Sequence, residues 1–225
     1  MAQVVGGVPQ LRSGVQARRM AEQRLRDEIT RGVVAPGQRL VEPELGERYG
    51  VTRNSARLAL DVLIAEGLVE RIPNRGARVR IVSTAEAVAI LECRQALDGL
   101  LAHKAALNAT AGQIDGLCAT LEQLQRAAVD QEPLGFWSLL QEHHRLVRAS
   151  AGQAIASSLV ERLQGQVLRH QFRLLLRPGQ AERSLPDLGR VVDAVAQRRP
   201  DCAEAAARSH LQELIDALLR ESAGG

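Results

Sequence analysis

From residue 85 onward, apolar positions recur at three- and four-residue spacing with few interruptions, a rhythm that predicts helices. Local punctuation divides this stretch into six. Ser83 and Glu86 stand at capping-box spacing and open a helix from Ala85 to Ala109. Thr110 with Gln113 opens the next, to about Asp130, and Pro133 suits the first turn of a third, ending at Ala151-Gly152. A long helix is expected from Ala154 to Leu176, before Pro178-Gly179. Ser184 is placed as the cap of a shorter one to Gln197, and Asp201 with Glu204 as the capping box of the last, to about Arg220.

The first third of the chain is patterned differently. Glu44 to Tyr49 reads as a short helix stopped by Gly50, the residue that most easily takes the positive φ of a helix exit. Thr52 caps a second helix running to about Glu66, with Leu60, Leu63 and Ile64 on one side and Gly67 at its end. Leu68 to Ile72 and Ala77 to Ile81 read as short strands around the turn-forming Pro73-Asn74-Arg75-Gly76. Helix, turn, helix and basic hairpin in this order make a winged helix-turn-helix. The predicted architecture is mostly α: a flexible arm over 1–15, a winged helix-turn-helix over 16–82, and an all-α antiparallel helical bundle over 83–225.

The second of the two early helices carries the candidate chemistry. Its N-terminus gathers Thr52, Arg53, Asn54 and Ser55, with Arg57 one turn on, so free amides, hydroxyls and guanidiniums point the same way. Such groups suit phosphates and guanine edges. Arg75 and Gly76 at the hairpin tip are placed to reach a minor groove. The chain has 28 Arg and one Lys, Lys104, so arginine is its default cation and position must carry the assignment.

In the bundle, the informative positions are those where polar residues interrupt apolar stripes. Ile90, Arg94, Leu97 and Leu101 share one helix face. His144 falls between Leu140 and Val147, His170 between Val167 and Leu174, and His210 between Ala207 and Leu214. A guanidinium is not left unpaired in a core. One inward cation and three inward imidazoles from four helices describe a pocket for a small anion. The plainer alternative for each histidine is a core imidazole bonded to a carbonyl, and for Arg94 closure on Glu92, Asp98 or another internal carboxylate.

Charge and composition sharpen the division. Met1 to Arg80 holds 14 basic and 9 acidic residues, net +5, while the remainder holds 15 and 17, net −2. The positive excess thus sits in the DNA-reading part. Two Phe, one Tyr and one Trp leave no aromatic platform for single-stranded nucleic acid, which favours duplex DNA. Cys93, Cys118 and Cys202 are odd in number and lack metal-pair spacing, as expected of reduced thiols in a cytoplasmic protein. No apolar run approaches membrane length.

Residues 25 to 40 (LRDEITRGVVAPGQRL), 42 to 70 (EPELGERYGVTRNSARLALDVLIAEGLVE) and 73 to 79 (PNRGARV) resemble regulators of the GntR type, FadR subgroup. Residues 90 to 106 (ILECRQALDGLLAHKAA), with HRLVRASAGQ at 144 to 153 and HL at 210 to 211, resemble that subgroup's FCD ligand-binding domain. The resemblance implies operator contacts through Arg53, Arg57 and the Arg75-Gly76 tip, with Thr52 and Asn54 beside them. Pro43 stands where many relatives have a DNA-touching Arg. For the bundle, it implies a carboxylate effector with Glu92 and Arg94 in their expected places. It also implies a divalent metal, zinc or nickel, held by one Asp and three His.

His144 and His210 fall on two of those ligand positions, and Leu140 and Leu188 occupy the other two. Two imidazoles do not complete a zinc or nickel site. His170, or Asp187 after a small register change, are the residues that would restore a third ligand. The expected outcome is a metal-free pocket in which Arg94, His144, His170 and His210 grip the effector.

The functional expectation is a homodimeric repressor that binds a palindromic double-stranded operator and answers to a small carboxylate, with no membrane and no catalysis. A pyridoxal-phosphate enzyme fused to a winged helix needs a longer chain, and no GxSxG surrounds any serine. An architectural DNA-binding protein with a purely dimerising bundle is the alternative; sequence-independent binding with a steep salt slope distinguishes it.

Overall fold

The computed structural model describes residues 12–73 and 76–223. Internal contacts divide the chain at Ile81 and Val82 into two compact units.

The first unit contains α1 (Gly14–Thr30), β1 (Arg39–Leu40), α2 (Glu42–Tyr49), α3 (Arg53–Ala65), β2 (Val69–Ile72) and β3 (Gly76–Val79). Ala17, Ala21, Leu25 and Ile29 repeat every four residues on α1 and are all buried, as a helix with one core-facing stripe requires. Ala56, Ala59, Leu60 and Leu63 of α3 and Leu45 and Tyr49 of α2 complete this core. Gly50 takes the left-handed conformation (φ 66°) that ends α2, and its neighbour Val51 is buried, so the chain turns tightly into α3. The three strands form an antiparallel sheet in the order β1-β3-β2, with Glu70 opposite Arg78 and Arg39 on the other side of Arg78. Ala77 and Val79 face inward, while Gly76 and Arg78 face solvent. This is a winged helix-turn-helix.

Two boundaries differ from the sequence expectation. Part of the expected arm is ordered: Arg12 donates from its amide to the Gly50 carbonyl (2.9 Å) and accepts from the Thr52 amide (2.8 Å), and α1 already begins at Gly14. Met1 to Leu11 lie outside the described residues. Helix α2 starts at Glu42 rather than Glu44, because Pro43 is tolerated in a first turn, where its missing N–H would have had no partner.

The second unit is built of α4 (Thr84–Asn108), α5 (Ala111–Val129), α6 (Pro133–Ala151), α7 (Ala154–Leu175), α8 (Gln180–Ala196) and α9 (Pro200–Ala223). Ser83 accepts from the Glu86 amide at the start of α4, and the Thr110–Gln113 capping box at the start of α5 is complete in both directions. Helix α4 packs against α6, α7, α8 and α9 and is the centre of the bundle. At its C-terminal end Arg198, itself at φ 55°, donates to the carbonyls of Ala106 (3.2 Å) and Ala109 (2.5 Å) and so satisfies groups that a helix end leaves open.

Two helix starts were misplaced by the sequence. Gly179 (φ 73°) opens α8 at Gln180, so Ser184 is inside the helix, bonded back to the Gln180 carbonyl at 3.0 Å. Helix α9 begins at Pro200, which puts Asp201 within its first turn and not before it. Among the described residues, no helix is long and apolar enough to cross a membrane.

Candidate nucleic-acid interface and effector cavity

The first turn of α3 is shaped by its cap. Thr52 Oγ1 accepts from the Ser55 amide (3.3 Å) and lies 3.0 Å from the Ser55 hydroxyl. This interaction corrects one expectation: Ser55 was placed among the DNA-contacting residues, but its side chain is buried and committed to the cap. Thr52 is half-buried, while Arg53, Asn54 and Arg57 are exposed. Arg53 Nε lies 3.0 Å from Glu42 Oε2, and Arg57 Nη2 donates to Asn54 Oδ1 at 3.0 Å. A crevice of about 180 Å³ beside them is lined by Arg39, Arg53, Arg57 and Arg71, with Glu42 and Asp61 interleaved. Arg71 pairs with Asp61 and Arg78 with Glu70. Gly76 is exposed and begins β3 at φ 88°, a conformation suited to glycine. Arg75 lies outside the described residues.

In the second unit, residues of α4, α6, α8 and α9 line a half-open cavity of about 30 Å³, room for one or two waters. Asp98 of α4, His143, His144 and Arg148 of α6, and His210 of α9 supply its polar lining; Val147, Leu188, Val191 and Leu211 supply much of the rest. His144, Val147 and Arg148 come together because residues three and four apart share a helix face. The rings of His143 and His144 are 5.7 Å apart, and those of His144 and His210 are 5.6 Å apart.

What distinguishes this cavity is the number of enclosed nitrogen atoms without a hydrogen-bond partner. In its lining they are Arg148 Nε, both ring nitrogens of His143, His144 Nδ1 and His210 Nε2, joined by Nη1 of Arg94, which pairs with the lining Asp98. Buried polar atoms are normally satisfied. Arg94 is only 1% exposed and directs Nε (3.1 Å) and Nη2 (2.9 Å) at a single oxygen, Asp98 Oδ2. Arg148 donates from Nη1 to Gln164 (3.1 Å) and reaches the exposed Glu161 only at 3.8 Å. Burial pushes His143 down to about 3 and His210 to about 4, with His210 acting further on His143 and Arg94 on His210. His144 is also held well below its ordinary value, first by burial and then by His210, His143, Arg94 and Arg148 in turn. All three imidazoles are therefore neutral near pH 7. Burial likewise lowers the Arg148 guanidinium.

The structure rearranges the expected residue set. Arg94 points inward, as its position in the stripe requires, but it closes on Asp98 rather than lining the cavity itself. His170 is not part of the site: its Nε2 lies 2.9 Å from the Val82 carbonyl, a half-buried imidazole satisfied by backbone. His143 and Arg148 are absent from the expected set, and Asp98 is in it only as a partner for Arg94. His143 follows Leu140 by three and precedes Val147 by four, so it fits the apolar stripe as well as His144 does. Arg148 stands one turn after His144.

The residues present do not fit the divalent metal that the resemblance implies. Leu140 and Leu188 are buried together in an apolar cluster with Leu124, Phe136 and Leu175. Asp187, the register alternative, is bound by Arg190 and accepts from Ser209 Oγ at 3.3 Å. Among the described residues no group of three or more His, Cys, Asp or Glu is placed to hold an ion.

An exposed, basic helix end on a winged helix, carried in one chain with a helical bundle, is the make-up of a DNA-binding regulator. Residues 17–79 match the model of bacterial regulatory proteins of the gntR family, and residues 89–213 match the FCD domain. The chain belongs to the GntR family and carries an FCD domain; it is a DNA-binding transcription regulator and not an enzyme. It is 30% identical over 195 residues to the HTH-type transcriptional repressor RspR of Escherichia coli strain K12, covering 86% of this chain and 85% of that one. It is 27% identical over 207 residues to the Glc operon transcriptional activator of the same organism, covering 82% of each. The solved structure of E. coli McbR/YncC superposes with a TM-score of 0.81 at 18% identity, covering 93% of this chain and all of that one, a likeness of fold alone.

Proposed function

We propose that this regulator is a dimeric repressor, that α3 and the wing read a palindromic operator, and that a small organic acid bound in the helical unit tunes the grip. The observation that carries the DNA-reading assignment is the exposed N-terminal turn of α3, where Arg53, Asn54 and Arg57 project from a fixed cap. Their partners Glu42 and Asn54 neutralise or orient the guanidiniums in the free protein and are weak enough to exchange for a base edge or phosphate. Dimerisation accords with the two-fold symmetry of a palindrome and with exposed Leu100 and Leu107 on α4. Repression accords with the name of the 30% identical relative.

For the effector, the enclosed unpaired nitrogens accord with an acid. The cavity is too small for one as it stands, so binding has to part α4, α6, α8 and α9. A ligand that favours the widened arrangement shifts the equilibrium only by its difference in affinity for the two, typically about 1 to 3 kcal/mol, or about 5- to 150-fold in operator affinity.

The test is binding of the full chain to a duplex from its own promoter, by fluorescence anisotropy over a salt series. A specific complex that outcompetes unrelated duplex and weakens on Arg53→Ala is expected. Equal affinity for every duplex, with a steep salt slope and no response to any carboxylate, sinks this reading in favour of an architectural role.

A further inference from the structure

The inference rests on the effector reading above and concerns how the cavity holds an acid. We infer that this cavity is a metal-independent anion site in which the Arg148 guanidinium, backed by Arg94, supplies the positive charge that binds a carboxylate. The resemblance leads to the opposite expectation, a resident dication holding the ligand.

Three sets of observations carry the inference. First, the frame for an ion is dismantled on one side. Leu140 and Leu188 are 8% and 1% exposed and lie in the same apolar cluster, so hydrocarbon fills the flank from which a carboxylate and a third imidazole would have to come. Each residue that could have restored a ligand is engaged elsewhere: His170 at the Val82 carbonyl, Asp187 at Arg190 and Ser209. Two imidazoles alone do not complete a zinc or nickel site, and although three can hold zinc, no three such ligands are placed around one ion among the described residues.

Second, the fixed charges are wrong for a cation. Asp98 is the only carboxylate lining the cavity, and its Oδ2 already takes two donors from Arg94. Arg148 is a second guanidinium at the same cavity, and its side chain is 11% exposed. Its acidic neighbour Glu161 is 3.8 Å away and 65% exposed, so solvent screens much of that attraction. Of the fixed charges, the two guanidiniums of Arg94 and Arg148 stand against the one carboxylate of Asp98. A dication entering this field is repelled; a monoanion completes the balance.

Third, the unpaired atoms include the donors an anion needs. Arg148 Nε and Arg94 Nη1 are enclosed N–H groups with nothing to donate to, on α6 and α4 respectively. Guanidinium N–H groups cannot act as metal ligands, since they carry no lone pair to give. They do bind carboxylates, with charge-assisted hydrogen bonds. His144 Nδ1 and His210 Nε2 lie on facing helices and can take the donor tautomer toward the same ligand.

The experiment has a metal arm and an anion arm. Untagged protein, purified without chelator, is dialysed against zinc or nickel and its metal content measured, beside the double variant Leu140→Asp, Leu188→His and the single variant Leu188→His, each checked for fold by circular dichroism. The expected result is no stoichiometric ion in the wild type and uptake by at least one folded variant. A stoichiometric ion in the wild type overturns the inference. Folded variants that stay empty overturn the assignment of the two leucines as the residues that exclude metal.

In the anion arm, acetate, succinate and citrate are titrated while the melting temperature of the full chain is followed, with and without EDTA. A rise unaffected by EDTA and weakened about tenfold or more by Arg148→Gln is expected. A rise abolished by EDTA, or unchanged in Arg148→Gln, refutes the guanidinium site. If none of the three acids raises the melting temperature, the carboxylate reading of the cavity falls, while the metal arm still decides the claim about metal.

Discussion

Replacing Glu42 with Gln should tighten operator binding, and the gain should shrink to a salt-dependent remainder when Arg53 is also removed. In the free protein Arg53 Nε rests 3.0 Å from Glu42 Oε2, with the two side chains 75% and 26% exposed. Exposed ion pairs of this kind contribute about 0.2 to 1 kcal/mol. A bidentate contact from Arg to a guanine edge is worth about 1 to 3 kcal/mol of discrimination. The contact therefore outweighs the pair, and Arg53 leaves Glu42 at a small cost that opposes binding. Glu42→Gln removes that cost, which is at most about 1 kcal/mol, or roughly fivefold in affinity. Arg53→Ala loses the contact and should weaken binding by about 1 to 3 kcal/mol.

The assay is a double-mutant cycle by anisotropy on one operator duplex at fixed salt, with melting temperatures as a control. Arg53 is exposed and Glu42 half-buried, so stability should move by no more than the pair itself contributes, about 1 kcal/mol at most. Glu42→Gln in the Arg53→Ala background retains only the general relief of repulsion between a carboxylate and phosphates, and that part follows salt. Strict additivity would show that Arg53 never exchanges partners on DNA. Equal binding by wild type and Arg53→Ala would refute the assignment of α3 as the reading helix.

Three further outcomes follow from the packing. Arg94→Ala should destabilise the helical unit by about 3 to 5 kcal/mol, because it strands Asp98, whereas Arg94→Met with Asp98→Leu should recover much of the loss; thermal melts of the three proteins decide this. Gly46→Ala would bring a methyl group to 2.9 Å from the Val51 carbonyl, a backbone atom, and should cost about 1 to 3 kcal/mol, while Gly99→Ala meets only the Arg208 and Glu204 side chains and should lie within about 1 kcal/mol of neutral. Acidification should weaken the fold: His143 and His210 titrate near 3 and 4 when folded and near 6.5 when unfolded, so stability is full above pH 6.5 and falls as protons bind the unfolded chain. At pH 5 the loss is about 2 kcal/mol for each, and urea melts of wild type and His143→Phe at pH 7 and 5 should differ accordingly.

How much was legible in the sequence depended on whether local chemistry sufficed. The winged helix was readable because each feature is made by neighbours: Gly50 ends α2, Thr52 caps α3, and Gly76 turns the hairpin. In the bundle, helix period alone put Arg94 and His210 inside. It does not separate two positions that fit one stripe equally: His143 and His144 both line the cavity, and His143 is the more buried. Ser55 was misjudged because capping and DNA contact ask for the same residue types, and only the structure shows the hydroxyl turned to Thr52. The start of α8 was missed because Ser184 is a good cap by composition, whereas a left-handed Gly179 opens the helix one turn earlier.

The partners of a buried charge are harder to read than its burial. Arg94 had three kinds of candidate in the sequence: a ligand, Glu92, or Asp98 one turn on. Spacing permits Asp98, since residues four apart meet on a helix, but Glu92 is exposed and only the fold rules it out. That pairing also changes what Arg94 can do. Asp98 already occupies two of its donors, so a carboxylate entering the cavity finds Nη1 of Arg94 and must otherwise displace Asp98 or turn to Arg148. Displacement would rearrange side chains on α4, the helix against which α6, α8 and α9 all pack. The ion pair inside α4 thus has the placement needed to convert a ligand carboxylate into a rearrangement of the bundle, because the ligand competes with an internal carboxylate of the same chemistry.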